Sequence, residues 1–256
     1  AELIDETFLP VMPSVSLVLL PDKKLSYKAN IAKHVRYPSL NDLYWTPGGN
    51  PTLEPEQGWM EELGVVYQTK LFSAEVTAFN SYIKNWILWS PTNKGYWSPQ
   101  NIKEVNNYGF ETFFKYDLKI KSDIKLRLTG NYTLTKSINN KVTSESDSSL
   151  DIQLIYVSIH NASGGLFFSY KKWMIGGNTN FTSDRFINSD NTTYLPYYHL
   201  VNVFVAKNFE LKNHNISAKF QLNNITNVEY YVIAYRPMPP TNFMFTLSYN
   251  FAPSEK

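Results

Sequence analysis

Trp45, Trp89 and Trp97 stand in segments rich in proline, glycine and asparagine, Tyr44–Glu56 and Asn85–Asn101, and the chemistry they offer is recognition, not bond-making. Indole rings supply rigid, flat, amphipathic contact area, and the carboxamides of Asn50, Asn93 and Asn101 beside them donate and accept hydrogen bonds. Of the four histidines, His34, His160, His199 and His214, none has metal-ligand spacing to another. His160, next to Asn161, is kept as a candidate ligand contact, and the others read as interior or interface residues. A plainer account runs alongside: Gly49-Asn50-Pro51 and Pro55-Glu56 hold loop shape and touch no ligand.

Other site classes find little support. No glycine-rich phosphate loop, nucleophile elbow or catalytic carboxylate pair appears, so no catalytic residue, metal ligand or enzymatic activity is expected. Glu145 with Asp147 and Asp151, or Asp184 with Asp190, offer the oxygen ligands Ca²⁺ takes, against the simpler reading of solvated loops. A net charge of +2 is too small for a nucleic-acid track. The chain has no cysteine, which removes disulfides, thiolate nucleophiles and Cys-ligated zinc.

The elements that must carry these loops are strands. Phe243, Phe245, Leu247, Tyr249 and Phe251 alternate with Met244, Thr246, Ser248 and Asn250, and the same period of two recurs over Ile124 to Leu134, Ile216 to Asn223 and Leu25 to Ala32. Weaker alternation covers Ser14 to Leu20, Met60 to Tyr67, Phe72 to Ile83, Asn106 to Leu118, Gly165 to Tyr170, Met174 to Thr182 and Tyr198 to Lys207. The expectation is an all-β chain of roughly eleven strands. Tyr37 to Trp59, broken by Pro47, Pro51, Pro55 and Gly48-Gly49, is expected to be neither helix nor strand.

Short connections at Pro21 to Lys24, Thr69 to Leu71, Lys119 to Asp123, Lys171 to Trp173 and Asn208 to Asn213 alternate strictly with long ones. The long ones are Val35 to Trp59, Lys84 to Val105, Lys136 to Gly164, Ser183 to Tyr197 and Thr226 to Asn242. A soluble sandwich has no reason for that regularity, whereas a transmembrane barrel has tight periplasmic turns and long extracellular loops. Lys28, Asn30, Lys125, Arg127, Lys219, Gln221 and Asn223 then face a wet lumen. Aromatic residues at strand ends, Tyr82, Trp86, Tyr194, Tyr197, Tyr198, Tyr230 and Tyr231, suit an interfacial girdle.

The final strand must run toward the short-turn side, so with about eleven strands the first does too, whereas a complete bacterial barrel has an even number. Ala1 to Glu6 lacks the basic and apolar regions of a signal peptide, so a removed leader or a start inside a longer protein is expected. Residues 1–256 are therefore read as the C-terminal part of an antiparallel transmembrane β-barrel, with its remaining strands missing or supplied by another chain.

The run from Val35 to Val65 resembles a conserved block of TonB-dependent outer-membrane transporters, through Arg36, Pro38, Ser39, Asp42, Leu43, Tyr44, Gly49, Asn50, Pro51, Leu53, Pro55, Glu56, Glu62 and Gly64. A second match, at Leu222, Asn223, Asn224, Asn227, Tyr230, Pro237, Pro239 and Phe251, is similar to the family's closing block, but Pro240-Thr241 stands where Gly-Arg is usual and Ala252 to Lys256 trails beyond. The resemblance implies a barrel of about 22 strands in the bacterial outer membrane, filled by a plug that this sequence lacks. It also implies capture of a scarce nutrient at extracellular loops, import energised through TonB by way of that plug, and lipid, the remaining strands and a surface lipoprotein as partners. No organic cofactor is implied. The tryptophan loops look most like the cobalamin-receptor branch, since Trp45, Trp86, Trp89 and Trp97 suit a planar corrinoid and Asn50, Asn93 and Asn101 its amide side chains. A siderophore or haem receptor, the latter using loop histidines such as His160, is the alternative. A soluble sugar-binding β-protein and a passive porin are the rivals outside the family.

Overall fold

The computed structural model describes residues 10–101, 104–140, 150–188, 190–211 and 213–251. Eleven strands form one sheet in sequence order: β1 Ser14–Leu19, β2 Leu25–Arg36, β3 Glu56–Gln68, β4 Phe72–Lys84, β5 Glu104–Lys121, β6 Ile124–Asn139, β7 His160–Tyr170, β8 Trp173–Thr182, β9 Tyr198–Leu211, β10 His214–Asn223 and β11 Asn242–Phe251. Every neighbouring pair is antiparallel. It follows that β1 and β11 run in the same direction, so these two edges cannot close on each other antiparallel.

The register carries one apolar face across the whole sheet. Leu17 opposes Ala29, Ala29 opposes Leu63, Leu63 opposes Ala78, Ala78 opposes Phe110 and Phe110 opposes Leu134. Farther on, Leu128 meets Leu166, Ile175 meets Val205, Val205 meets Phe220 and Phe220 meets Phe245. These side chains are open: Leu63 is 66% exposed, Leu166 53% and Phe245 63%. A sandwich or small soluble barrel would bury them against a second layer. Among the described residues the buried apolar side chains are Leu53, Ile83, Ile87, Pro99, Val105 and Leu195, all at the loop end of the sheet. Hydrocarbon is the solvent this face fits.

The opposite face is a network of polar groups. Ser16 Oγ donates to Asn30 Oδ1 at 2.8 Å, Asn30 Nδ2 to Glu62 Oε2 at 3.3 Å, and Lys28 Nζ to Glu75 Oε1 at 2.9 Å. Farther round, Arg127 Nε reaches Asp117 Oδ1 at 2.5 Å and Lys219 Nζ sits 4.4 Å from the centre of the Phe204 ring. Such groups need water or a polar filling.

Aromatic residues mark both rims of the apolar face. Trp59 and Tyr67 on β3, Tyr108 and Tyr116 on β5, and Trp173 and Phe181 on β8 each stand eight residues apart. At about 3.4 Å per residue that is about 27 Å of strand, a tilted run matching a hydrocarbon band of about 25 Å.

All eleven strands anticipated from periodicity are present, and the tight and long connections alternate as expected. Two corrections apply. Tyr37 to Trp59 is not free of regular structure, because Leu40–Tyr44 is a short helix, α1, and β3 begins at Glu56. The strands also run past their anticipated ends: β7 starts at His160, opposite Leu134, and β6 continues to Asn139, where the mostly polar residues after Leu134 carry the ladder toward the loops. The tail Ala252 to Lys256 lies outside the described residues.

Val76 and Thr77 are adjacent on β4 and face opposite ways. In the full-length protein, Val76→Arg is expected to destabilise by about 2–4 kcal/mol in lipid vesicles. Thr77→Arg, opposite Glu111, should leave stability nearly unchanged, and denaturant unfolding followed by loss of heat-modifiable mobility measures both.

Candidate functional site

The loop between β2 and β3 is clasped onto the one between β4 and β5 by backbone-directed bonds. Ser39 caps α1: its hydroxyl accepts from Asp42 N at 3.1 Å, while its own amide and hydroxyl donate to Asp42 Oδ2 at 2.9 and 2.8 Å. The other oxygen, Asp42 Oδ1, accepts from the Trp89 indole Nε1 at 2.8 Å. Asp42 is buried, which by itself favours its neutral form. The hydrogen bonds from Ser39 and Trp89 and the charge of Arg36 outweigh burial and hold the carboxyl below the usual carboxylate range.

Trp89 lies on a two-stranded ribbon, Ile87–Pro91 paired with Trp97–Asn101, which alternation had not singled out from the long loop. Asn50 Nδ2 donates to Pro99 O at 3.1 Å, and Asn50 Oδ1 accepts from Thr52 N and Oγ1 at 3.1 and 2.7 Å. Asn101 accepts from Glu54 N at 2.8 Å and donates to Glu54 O and Asn85 O at 2.9 and 2.7 Å. Glu56, 4% exposed, accepts from Ile87 N at 2.7 Å and from Arg36 Nε at 2.6 Å. A Cβ on Gly48 would run into the carbonyl oxygen of Trp97, so only glycine allows the two loops to close this far.

The anticipated site residues therefore divide. Trp45 and Trp97 are 57% and 50% exposed on the same clasp and present open indole surface. Asn93 is exposed at the ribbon's tip. Trp89 is half-buried with its N–H engaged, and Asn50 and Asn101 spend their amides on backbone, the plainer role weighed for the Gly-Asn-Pro block. His160 stands apart from this group. It sits at the start of β7 on the apolar face, opposite Leu134, with its ring stacked on Tyr132 and Nδ1 2.8 Å from the Tyr132 hydroxyl.

A second clasp was not visible in the sequence. Arg185, 4% exposed, donates from Nη2 to Tyr231 O at 3.0 Å and to Pro196 O at 3.4 Å, with its guanidinium 4.9 Å from the centre of the Tyr198 ring. A lone arginine in a polar loop carries no pattern that would mark it. In the closing block, Asn224 bonds Val228 N and O at 2.9 and 2.8 Å, and Thr241, where the family usually has arginine, donates its hydroxyl to Asn224 O at 2.7 Å. Of the acidic groups weighed for Ca²⁺, Asp184 Oδ1 accepts from Tyr197 N at 2.6 Å and Asp190 Oδ1 from Thr192 N at 3.2 Å, whereas Glu145 and Asp147 lie outside the described residues. Among the described residues no group of three or more His, Cys, Asp or Glu is placed to hold a metal ion.

An antiparallel sheet that is oily on one face and charged on the other, with tight turns below and clasped loops above, is the wall of an outer-membrane-type β-barrel. The chain belongs to the family described as TonB dependent receptor-like, beta-barrel, whose model matches residues 5–228. It is similar to the vitamin B12 transporter BtuB of Photobacterium profundum, 24% identical over 235 residues that cover 89% of this chain and 36% of that protein. It is also similar to BtuB of Vibrio vulnificus, 30% identical over 99 residues, 38% of this chain and 16% of that one. Among solved structures, the ferric preacinetobactin receptor BauA of Acinetobacter baumannii superposes with a TM-score of 0.69 at 20% identity, over 93% of this chain and 36% of BauA. The copper transporter OprC superposes at 0.71 and 14% identity, over 93% and 38%. The chain thus spans little more than a third of the length of BauA, of OprC and of the Photobacterium relative.

Asp42→Ala strands the Trp89 indole and the Ser39 donors, and is expected to cost about 1–3 kcal/mol of local stability. Limited proteolysis between residues 37 and 55 should quicken and tryptophan emission should shift to the red. The same lowered carboxyl predicts a pH response. Folded Asp42 gives up its proton more readily than unfolded Asp42, so its contribution is complete above about pH 3.9. It is lost as pH falls through the lower folded value, and tryptophan emission titrated in acid, wild type against Asp42→Asn, reads the loss.

Proposed function

We propose that this chain is part of the barrel wall and ligand-capturing mouth of a TonB-dependent receptor in the bacterial outer membrane, and that its cargo is cobalamin or another corrinoid. The observation that carries this reading is the pair of open indoles, Trp45 and Trp97, held on a clasp where Trp89, Asn50 and Asn101 already spend their polar groups on shape. Rigid aromatic area fixed before the ligand arrives binds a large flat molecule without an ordering penalty. The similarity to vitamin B12 transporters over 89% of the chain supports the corrinoid as the first cargo to test.

The function on this reading is transport. Loops catch the nutrient, and energy reaching a plug through TonB moves it past the polar wall into the periplasm. Two features of the sheet support a barrel completed by further strands. The edges β1 and β11 are exposed along their whole lengths, and ladder edges of that kind demand pairing. Because they run in the same direction, the closing segment must bring an odd number of strands if all pairing is antiparallel.

Titration of the full-length receptor with cyanocobalamin, haem and a ferric siderophore separates the cargoes. Tight binding of cyanocobalamin, weakened at least tenfold by Trp97→Ala or Trp45→Ala, is the expected result. Tight binding of haem or siderophore in its place would move the protein to another branch of the family. Unchanged affinity in both variants would place the contact surface elsewhere.

A further inference from the structure

The wet face carries an apolar feature that its polar network does not explain. In one register row from β5 to β10, Asp117 opposes Arg127, Arg127 opposes Phe167, Phe167 opposes Gly176, Gly176 opposes Phe204 and Phe204 opposes Gln221. Phe167 and Phe204 thus share the polar face on either side of a glycine, with ring centres 6.1 Å apart and planes tilted by 42°. Both rings lie down against the wall. A Cβ on Gly176 would come within 2.9 Å of Phe167 Cδ1 and 3.0 Å of Phe204 Cε1, and one on Gly165 within 2.6 Å of Phe167 Cε2. Any side chain at these two positions would lift the rings, so the glycines create a shallow apolar bay in a charged wall.

Polar groups stand around the bay with bonding capacity to spare. Lys219, diagonal to Phe204, holds its Nζ 4.4 Å from the centre of that ring and has no ion pair among the described residues. Asn178, two residues past Gly176 on the same face, is exposed, and its carboxamide has no partner among the described residues. Gln221 donates Nε2 to Asn223 Oδ1 and keeps its own side-chain oxygen open. The clasp at the mouth is the opposite case, since Asn50 and Asn101 are committed to backbone there. Phe167 and Gly176 each lie three residues from the tight turn joining β7 to β8, about 10 Å of strand. The bay therefore belongs to the short-turn half of the wall, and Trp45 and Trp97 to the other end.

We propose that this bay is a second binding site for the nutrient, a stopping place on the luminal wall before release to the periplasm, and that it takes a flat, amide-bearing anion. The flat face lies on Phe167 and Phe204, the amides meet Asn178 and Gln221, and the negative group meets Lys219. This site rests on the corrinoid reading of the mouth, and a cobalamin brings all three features: a planar macrocycle, peripheral carboxamides and a phosphodiester. Phenyl faces open to water and a half-buried ammonium without a counter-charge are each unfavourable, and one such ligand relieves both. A site used in passage must also let go, and a bay open on its lumen side binds from one face only.

The test is uptake of radiolabelled cyanocobalamin by cells that carry the full-length receptor, measured beside binding to the same cells without energy. Phe167→Ala with Phe204→Ala, and separately Lys219→Gln, should leave surface affinity unchanged while the maximal uptake rate falls about tenfold, the signature of a step after binding. A benzophenone amino acid placed at Ser169, beside the bay on the same face, should cross-link cyanocobalamin in energised cells and not in de-energised ones. Unchanged uptake in the variants, affinity and uptake falling together, or cross-linking only to the receptor's own plug would overturn the proposal. Failure of the wild type to bind cyanocobalamin at all would overturn the corrinoid reading and this site with it, whereas binding at the mouth with unaltered uptake in every variant would overturn this site alone.

Discussion

Everything in this molecule follows from a sheet that must satisfy two solvents at once. Period-two alternation places oily side chains on one face and charged ones on the other, and the register, which shifts at Lys119/Lys121 beside the β5–β6 turn, keeps the faces separate over eleven strands. In water alone such a sheet would expose its phenylalanines and leucines; in hydrocarbon alone it would strand Lys28, Glu62 and Arg127. A closed wall between lipid and a wet lumen is the arrangement in which every group meets a medium it tolerates. The small apolar clusters at the loop end serve the loops and not the sheet, which is why the sheet needs no conventional core.

The loops solve a different problem, that of holding a long irregular segment still above the membrane. Their means is hydrogen bonding, mostly to backbone, by buried and half-buried side chains: Asp42 to the α1 cap and to the Trp89 indole, Asn50 across to the ribbon at Pro99 O, Asn101 from the ribbon back to Glu54 and Asn85, and Glu56 to Ile87 N and to the Arg36 guanidinium. Each removes an orphan donor or acceptor that would otherwise be costly. The consequence for recognition is that polar residues near the mouth are largely spent on shape, and what remains open is indole surface. Selectivity at such a mouth comes from form and stacking more than from free amides.

The sheet was legible because one rule repeats: alternation gives faces, and strict short-long connections give orientation. Phe243 to Phe251 shows the alternation at a glance. The loops were legible only as motif, since Arg36, Asp42 and Glu56 match a family block without revealing that they form one network. The helix at Leu40–Tyr44 hid behind the prolines around it, although Ser39 followed three residues later by Asp42 is a capping signal. Arg185 gave no sign, because its partners are carbonyls that sequence does not distinguish. His160 drew notice for its neighbour Asn161, but its place is fixed by pairing with Leu134, which turns it to the outside.

The orientation of the two faces is measured most directly on β4 of the full-length receptor in a phospholipid bilayer. The chain has no cysteine, so single cysteines from Phe72 to Lys84 can carry a spin label one at a time. Collisions with lipid-soluble oxygen should be frequent at Ala74, Val76 and Ala78 and fall at Glu75, Thr77 and Phe79, repeating every second residue. Low oxygen collision at Ala74, Val76 and Ala78, as in a dry packed interior, or a pattern with no alternation, would contradict the account.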